Sequence, residues 1–367
     1  MIEHVRTRVS PAFRLAGQVT AVGPLGAGLI NPTFRVTTRG QDGRTRAYVI
    51  QAINGRVFPR PDLLMDNLAR VTAHLRQRLD PAQRDAARRV LTLVPADAGG
   101  LSWRDPQGQV WRAFHYIAHS RTLQRISDPV LAYRAGRAFG DFMRQLADLP
   151  PPRLHEHLPG FHHTPTRLRA LRRAVEEDPL AGAAQTGPEL DRISRREATA
   201  TLLGDLQTSS ALPERIVHND TKINNLLLDR QSGKALCVID LDTVMPGLSL
   251  NDFGDLVRSA ATSEPEGSKP LSLQLPLFEG LLRGWVGAMA PVLTPTEAEL
   301  LAAAPRVITL ELAMRFLTDH LRGNRYFAIT YPGQNLDRCR AQLDLLESME
   351  AQADSMERLV RDVLSGR

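Results

Sequence analysis

Apolar residues in the first third of the chain fall into short β-branched runs. Val19-Thr20-Ala21-Val22, Thr33-Phe34-Arg35-Val36-Thr37 and Ala47-Tyr48-Val49-Ile50-Gln51 predict three strands, and the turn string Gln41-Asp42-Gly43 makes them an antiparallel meander. After Pro61-Asp62 the period changes. Leu64, Leu68, Val71, Leu75 and Leu79 recur at three- and four-residue spacing, which predicts a helix with one buried face, suited to covering the sheet. A Pro/Asp/Gly-rich stretch at 95–108 leads into Val110-Trp111-Arg112-Ala113-Phe114-His115-Tyr116-Ile117, a last strand. Polarity then rises through Ala118-His119-Ser120-Arg121, which places a boundary near 118 and divides the chain into lobes 1–118 and 119–367.

Beyond 129 the pattern is mainly helical. Asp128-Pro129 and Thr164-Pro165 each read as an N-cap followed by proline in the first turn. The segment 180–195, rich in Ala, Gly and polar residues, reads as an exposed connection. Two short apolar runs, Arg215-Ile216-Val217 and Leu236-Cys237-Val238-Ile239, flank a polar turn, and helical periodicity resumes over 271–290, 295–321 and 335–365. The expectation is an α+β fold with a small antiparallel-sheet N-lobe and a larger, mainly helical C-lobe.

Composition removes several function classes. No run of 18 apolar residues occurs, and Met1-Ile2-Glu3-His4-Val5-Arg6 is polar, so neither membrane insertion nor secretion is expected. Two cysteines, Cys237 and Cys339, exclude a disulfide framework and a cysteine-based zinc site, and fit a reducing cytoplasm. Of the 46 basic residues only Lys222, Lys234 and Lys269 are lysines. The arginines are scattered among Asp and Glu, and aromatics are 5%, so the basic balance reads as a solvated surface and no nucleic-acid partner is expected.

The chemistry concentrates at His218-Asn219-Asp220-Thr221-Lys222-Ile223-Asn224-Asn225 and at Asp240, which closes the next apolar run. An acid, an amide five residues on and a second acid are the groups phosphoryl transfer needs. One carboxylate orients and deprotonates a hydroxyl, while an amide oxygen and a carboxylate hold Mg²⁺ against nucleotide phosphates. Asp220 and Asn225 alone would read as turn residues; strand, HxDxxxxN, strand and terminal Asp together are far more specific. Asp242 alternates with Asp240 on one side of an extended chain, either as a further metal neighbour or as a structural carboxylate. Asp252 and Asp255 are expected to start a helix and brace the loop. Gly26-Ala27-Gly28 between two strand-like segments would let backbone N–H groups approach phosphates, although a lone GxG reads first as a β-turn.

These residues resemble the aminoglycoside phosphotransferase and choline kinase superfamily, whose fold is bilobal and protein-kinase-like. Within it the chain is more specifically similar to the N-acetylhexosamine 1-kinases, through Gly26-Ala27-Gly28-Leu29-Ile30-Asn31, Tyr48 to Asn54, HNDTKINN at 218–225, Val238 to Gly247 and Arg315-Phe316-Leu317-Thr318-Asp319-His320. The resemblance implies an ATP- and Mg²⁺-dependent transferase making sugar 1-phosphates from N-acetylglucosamine and N-acetylgalactosamine. It implies Asp220 as base and acceptor contact, Asn225 and Asp240 as metal ligands, and Gly26, Gly28, Asn31, Thr33 and Gln51 on the nucleotide. One departure stands out. Kinase-like folds carry a phosphate-binding lysine on the third strand, and here Gln51 occupies that place, so Mg²⁺ or an arginine must supply neutralisation and an acid such as Asp66 loses its partner. Arg315 and Tyr326 are implied as acceptor contacts; a solvated helix face with a packed tyrosine is the other reading. A superfamily kinase for another hydroxyl acceptor, an aminoglycoside or amino alcohol, and a nucleotide-binding pseudokinase remain the alternatives. His155, His157, His162 and His163 lie in a Pro-rich loop without acidic or cysteine partners at ligand spacing, which disfavours a metal site.

Overall fold

The computed structural model describes residues 1–26, 30–80, 86–178, 182–264 and 270–366. The chain is α+β and forms two compact units. One comprises Met1–Ser120, Leu149–Leu158 and Asp229–Gln231; the other comprises Arg121–Asp148, Pro159–Leu228 and Ser232–Arg367.

The first unit is built on β1 (Gln18–Pro24), β2 (Thr33–Arg39), β3 (Thr45–Ala52), β4 (Leu93–Val94), β5 (Trp103–Arg104) and β6 (Val110–His115). Their order is β1-β2-β3-β6-β4, with β5 also on β6, and every pairing is antiparallel. Alternation drives it: Phe34 and Val36, Tyr48 and Ile50, and Trp111 and Ala113 put successive inward side chains into one apolar cluster. The same register sets Thr33 opposite Gln51 and Gln51 opposite Arg112, a polar row across three strands. The helix α1 (Pro61–Gln77) buries Leu64, Leu68, Val71 and Leu75 as its periodicity requires, and ends before the half-buried Leu79.

The second unit carries α2 (Pro129–Leu146), α3 (Thr164–Glu177), α4 (Gly187–Ser194), α5 (Glu197–Thr208), α6 (Ser249–Ala260), α7 (Leu275–Met289), α8 (Pro295–Glu299), α9 (Ala304–Leu321), α10 (Gln334–Ala351) and α11 (Ala353–Leu364). Between them run β7 (Arg215–Val217), β8 (Leu226–Asp229), β9 (Ala235–Val238) and β10 (Met245–Gly247). Strand β7 pairs with β10 and β8 with β9, so the two apolar runs flanking the polar turn belong to different ladders.

Three local expectations change. Asp128 does cap α2, accepting from Val130 N at 3.0 Å, but Thr164 lies inside α3 and its hydroxyl donates to Glu311 instead, at 2.8 Å. Within 180–195 the described residues include α4, not a bare connection, because Pro188 opens a turn, Ile193 is buried and the buried Glu189 receives Arg340 Nε at 2.6 Å. The long helical tracts are also broken, at 300–303 and at Gln352. The first break follows a capping box in which Thr294 and Glu297 exchange hydrogen bonds.

Helices α2 and α7 meet along a glycine seam. A methyl on Gly136 would strike the Leu281 carbonyl, one on Gly284 would lie 2.7 Å from Arg137 N and strike the Tyr133 carbonyl, and one on Gly140 would lie 2.7 Å from Ala288 Cβ. Backbone packs directly against backbone there.

Candidate active site

The loop after β7 is fixed from below by a buried carboxylate. Asp252, in the first turn of α6, accepts from His218 N and Asn219 N, both at 2.7 Å, and its own carbonyl accepts from Thr221 Oγ1 at 2.5 Å. Burial pushes its carboxyl up to about 7, against those two backbone bonds. The brace expected of Asp252 is therefore real, whereas Asp255 turns to Arg258, 2.7 Å away. His218 closes the loop from the other side. Its Nδ1 accepts from Asp220 N at 3.2 Å, so its Nε2 carries the proton and donates to Ile239 O at 2.9 Å. Burial lowers its pKa, in keeping with this neutral ring, which Phe139 and Phe142 flank edge-on. Thr243 Oγ1 donates to His218 O at 2.6 Å and Asn219 Nδ2 to Thr243 O at 2.9 Å, binding the loop to the turn after Asp240.

These bonds bring Asp220, Asn225 and Asp240 to one place. Asn225 Nδ2 donates to Asp220 Oδ2 at 2.9 Å and to its carbonyl at 2.8 Å, while Asn225 O accepts from the N–H of Ile239, the residue before Asp240. Lys222 Nζ lies 3.0 Å from Asp220 Oδ2. Burial would raise the Asp220 pKa, but the Lys222 ammonium, with help from His218 and Asn225, holds it below the usual carboxylate range. Lys222 is raised in turn by Asp220, against burial and with support from Asp240.

The chain does not stay extended past Val238. Asp240 adopts φ 61° and a single helical turn, Leu241–Thr243, follows it. The alternation that would set Asp242 beside Asp240 is thereby lost; Asp242 is buried and Asp240 exposed. A hard divalent cation takes oxygen ligands. Oxygen donors of that kind are present: Asn225 spends its amide nitrogen on Asp220, which leaves the amide oxygen as the group able to act as a ligand, and Asp240 is an exposed residue one position beyond the Ile239 N–H that Asn225 O accepts.

On α9, Arg315 is largely buried and its guanidinium carbon lies 5.3 Å from the Phe161 ring, 5.7 Å from Tyr326 and 5.6 Å from Phe327. Tyr326 is 52% exposed and meets the Phe327 ring edge-on, 4.8 Å between centroids. Its loop is shaped by Asp319, whose carboxylate accepts from Arg325, Tyr326 and Phe327 N–H groups, each at 2.9 Å, and from Asn335 Nδ2. Among the loop histidines, His155 contacts Asp66 and His162 contacts Glu311, 149 positions away, a pairing no sequence spacing announces.

In the first unit, Asn31, Thr33 and Gln51 form one chain of contacts. Gln51 Nε2 donates to Thr33 Oγ1 at 3.0 Å, Thr33 Oγ1 to Asn31 O at 2.9 Å, and Asn31 Oδ1 accepts from Asn54 N. Gly26 has φ 69° with open space where a Cβ would stand, whereas Gly28 lies outside the described residues. The residue missed from sequence is Arg112. Its Nε and Nη2 both donate to Gln51 Oε1, at 3.0 and 2.9 Å, while the guanidinium lies over Phe114. Strand register could have found it, since residues 51 and 112 are direct neighbours across β3 and β6.

Residues 21–285 match the model of the phosphotransferase enzyme family that includes the aminoglycoside phosphotransferases. The chain belongs to this family. It is accordingly an ATP-binding kinase, a transferase of phosphoryl groups to hydroxyls. Solved structures carry the same fold at low identity. A microcompartment-associated aminopropanol kinase aligns over 97% of this chain and 99% of its own, with 15% identity and a TM-score of 0.60. A choline/ethanolamine kinase family protein from Mesorhizobium loti aligns over 98% and 99%, at 18% and 0.52. Aminoglycoside 2'-phosphotransferase-IIIa, solved with GDP, aligns over 91% and 94%, at 15% and 0.52. No helix among the described residues of this family member is long and apolar enough to cross a membrane.

Proposed function

We propose that this kinase transfers the γ-phosphoryl group of ATP to the anomeric hydroxyl of N-acetylhexosamines, giving sugar 1-phosphates and ADP. The observation that supports an uncharged acceptor is Arg315. A guanidinium anchored among three aromatic rings, with Arg167 close enough to feel its charge, disfavours the ammonium groups of amino alcohols and aminoglycosides and suits the carbonyl and hydroxyl oxygens of an N-acetyl sugar. Tyr326 would add the aromatic face.

Asp220, ionised beside Lys222, would orient the acceptor hydroxyl and take its proton. Asn225 and Asp240 would hold Mg²⁺, which when bound neutralises phosphate charge. Asn31, Thr33 and Gln51, with Gly26 and Gly28, would contact the nucleotide phosphates. Gln51 is a neutral donor there because Arg112 engages its oxygen, turning the amide nitrogen toward Thr33.

Acceptor-dependent ADP release would be measured with N-acetylglucosamine, N-acetylgalactosamine, ethanolamine, aminopropanol and an aminoglycoside, and the product located by phosphorus NMR. Turnover of the two N-acetyl sugars with phosphate on the anomeric oxygen is expected. Turnover confined to the cationic acceptors would overturn the sugar reading, and no turnover with any acceptor would favour a pseudokinase.

A further inference from the structure

His162 has no place in the chemistry described so far, yet both of its ring nitrogens are engaged in a buried setting. Its side chain is 4% exposed and that of Glu311 is fully buried. Nδ1 lies 2.8 Å from Glu311 Oε1 and Nε2 lies 2.9 Å from the carbonyl oxygen of Asn219. A carbonyl can only accept, so Nε2 carries a proton. Glu311 Oε2 accepts from Thr164 and Arg315 Nη1 stands 3.8 Å from Oε1, which keeps Glu311 ionised and places a second proton on Nδ1. The ring is then an imidazolium with both N–H groups used.

The neighbouring charges agree. Burial opposes the charge on His162, but Glu311, aided by Asp255 and opposed by Arg315, raises its pKa above 6.5. Burial likewise opposes ionisation of Glu311, and His162 and Arg315 outweigh it. Asp252 feels the His162 charge, and Arg167 faces both Glu311 and Arg315.

The carbonyl that His162 holds belongs to the peptide joining Asn219 to Asp220. That peptide is planar, and Asn219 sits at a left-handed φ of 63°, so fixing its oxygen fixes the plane from which Asp220 projects. On the other side, Glu311 and Arg315 lie one turn apart on α9. We propose that His162 is a positioning residue for phosphoryl transfer: a buried cation that orients the Asn219–Asp220 peptide and ties it, through Glu311, to the helix carrying Arg315. This rests on Asp220 being the base and Arg315 an acceptor contact.

The test uses the full-length protein with N-acetylglucosamine and ATP from about pH 6, near the ordinary histidine value, to as far above it as the protein stays folded. Above its pKa His162 turns a lone pair toward the Glu311 carboxylate and the clamp opens, so wild-type kcat should fall on the alkaline side. In Glu311→Gln the side-chain amide donates to a neutral ring, and that limb should disappear. His162→Ala should lower kcat about 10- to 100-fold, the scale of a small misplacement of a reacting group, with both KM values changed far less. Ring nitrogen NMR of wild type near pH 7.5 should show His162 doubly protonated. A neutral ring, a Glu311→Gln profile that overlays wild type, or an unchanged kcat in folded His162→Ala would each overturn the assignment. If the sugar is not turned over, the acceptor reading fails by itself, and the same comparison with whichever acceptor is active still decides the role of His162.

Discussion

At Asp220 two opposing influences meet, since burial favours the neutral acid and Lys222 at 3.0 Å favours the carboxylate that a base requires. Asp220→Asn keeps the shape and loses the proton acceptor. Its kcat should fall at least ~10²-fold with nucleotide affinity, measured calorimetrically, nearly intact; near-normal turnover would remove Asp220 from the base role. Gln51 poses the opposite question. Its oxygen sits in the fork of Arg112, so Gln51→Lys sets an ammonium against a guanidinium where a carboxylate partner would be needed. Asp66, an acid of the following helix that a lysine at position 51 could have paired with, is engaged by His155 at 3.1 Å. We expect Gln51→Lys to raise the ATP KM several-fold, and Arg112→Met to relieve part of that loss in the double variant. A lower ATP KM for the single variant would contradict this account. The site's chain-local parts were legible because HxDxxxxN and the terminal Asp lie within one short loop and hairpin. Arg112 and Glu311 were not, since their partners arrive through strand register and helix packing.

Elements carry the loop, and Glu297 joins three of them. It is 1% exposed, closes the capping box of α8, receives Arg215 of β7 through two bonds of 2.7 Å and accepts from Ser249 at the start of α6. Glu297→Ala leaves Arg215 without its carboxylate and should cost about 3–5 kcal/mol of stability by urea unfolding. Burial opposes its ionisation, yet Arg215 and Ser249 hold its folded pKa below 4.5. The pair therefore stabilises fully above pH 4.5 and loses that contribution as pH falls through the depressed value. The variant should show a shallower acid limb of stability than wild type, and parallel limbs would count against the pair. Alternation and periodicity foretold the strands and most helices of this fold. They did not foretell α4, where the buried Glu189 meets an Arg340 that lies 151 positions away, or the breaks at 300–303 and Gln352, which hydrophobic spacing does not mark.

Across the whole chain, stability depends on contacts as plain as the α2–α7 seam. Gly284→Ala forces a methyl into the Tyr133 backbone, which cannot rotate away as a side chain would. It should cost at least about 1–3 kcal/mol, and Gly287→Ala, facing only the end of Arg137, should be nearly silent. Equal costs for the two would refute a backbone-set approach. The scarcity of lysine has a different use. Acylation requires a free amine lone pair, and Asp220 keeps Lys222 protonated although a third of its side chain is open to solvent. With acetic anhydride at about pH 8.5, still below the ordinary lysine range, exposed Lys234 should be acetylated well ahead of Lys222. Asp220→Asn should quicken Lys222 alone. With only three lysines in 367 residues, two peptide masses suffice to follow the charge on the Asp220 carboxylate through the nucleophilicity of its neighbour, without any substrate in the tube.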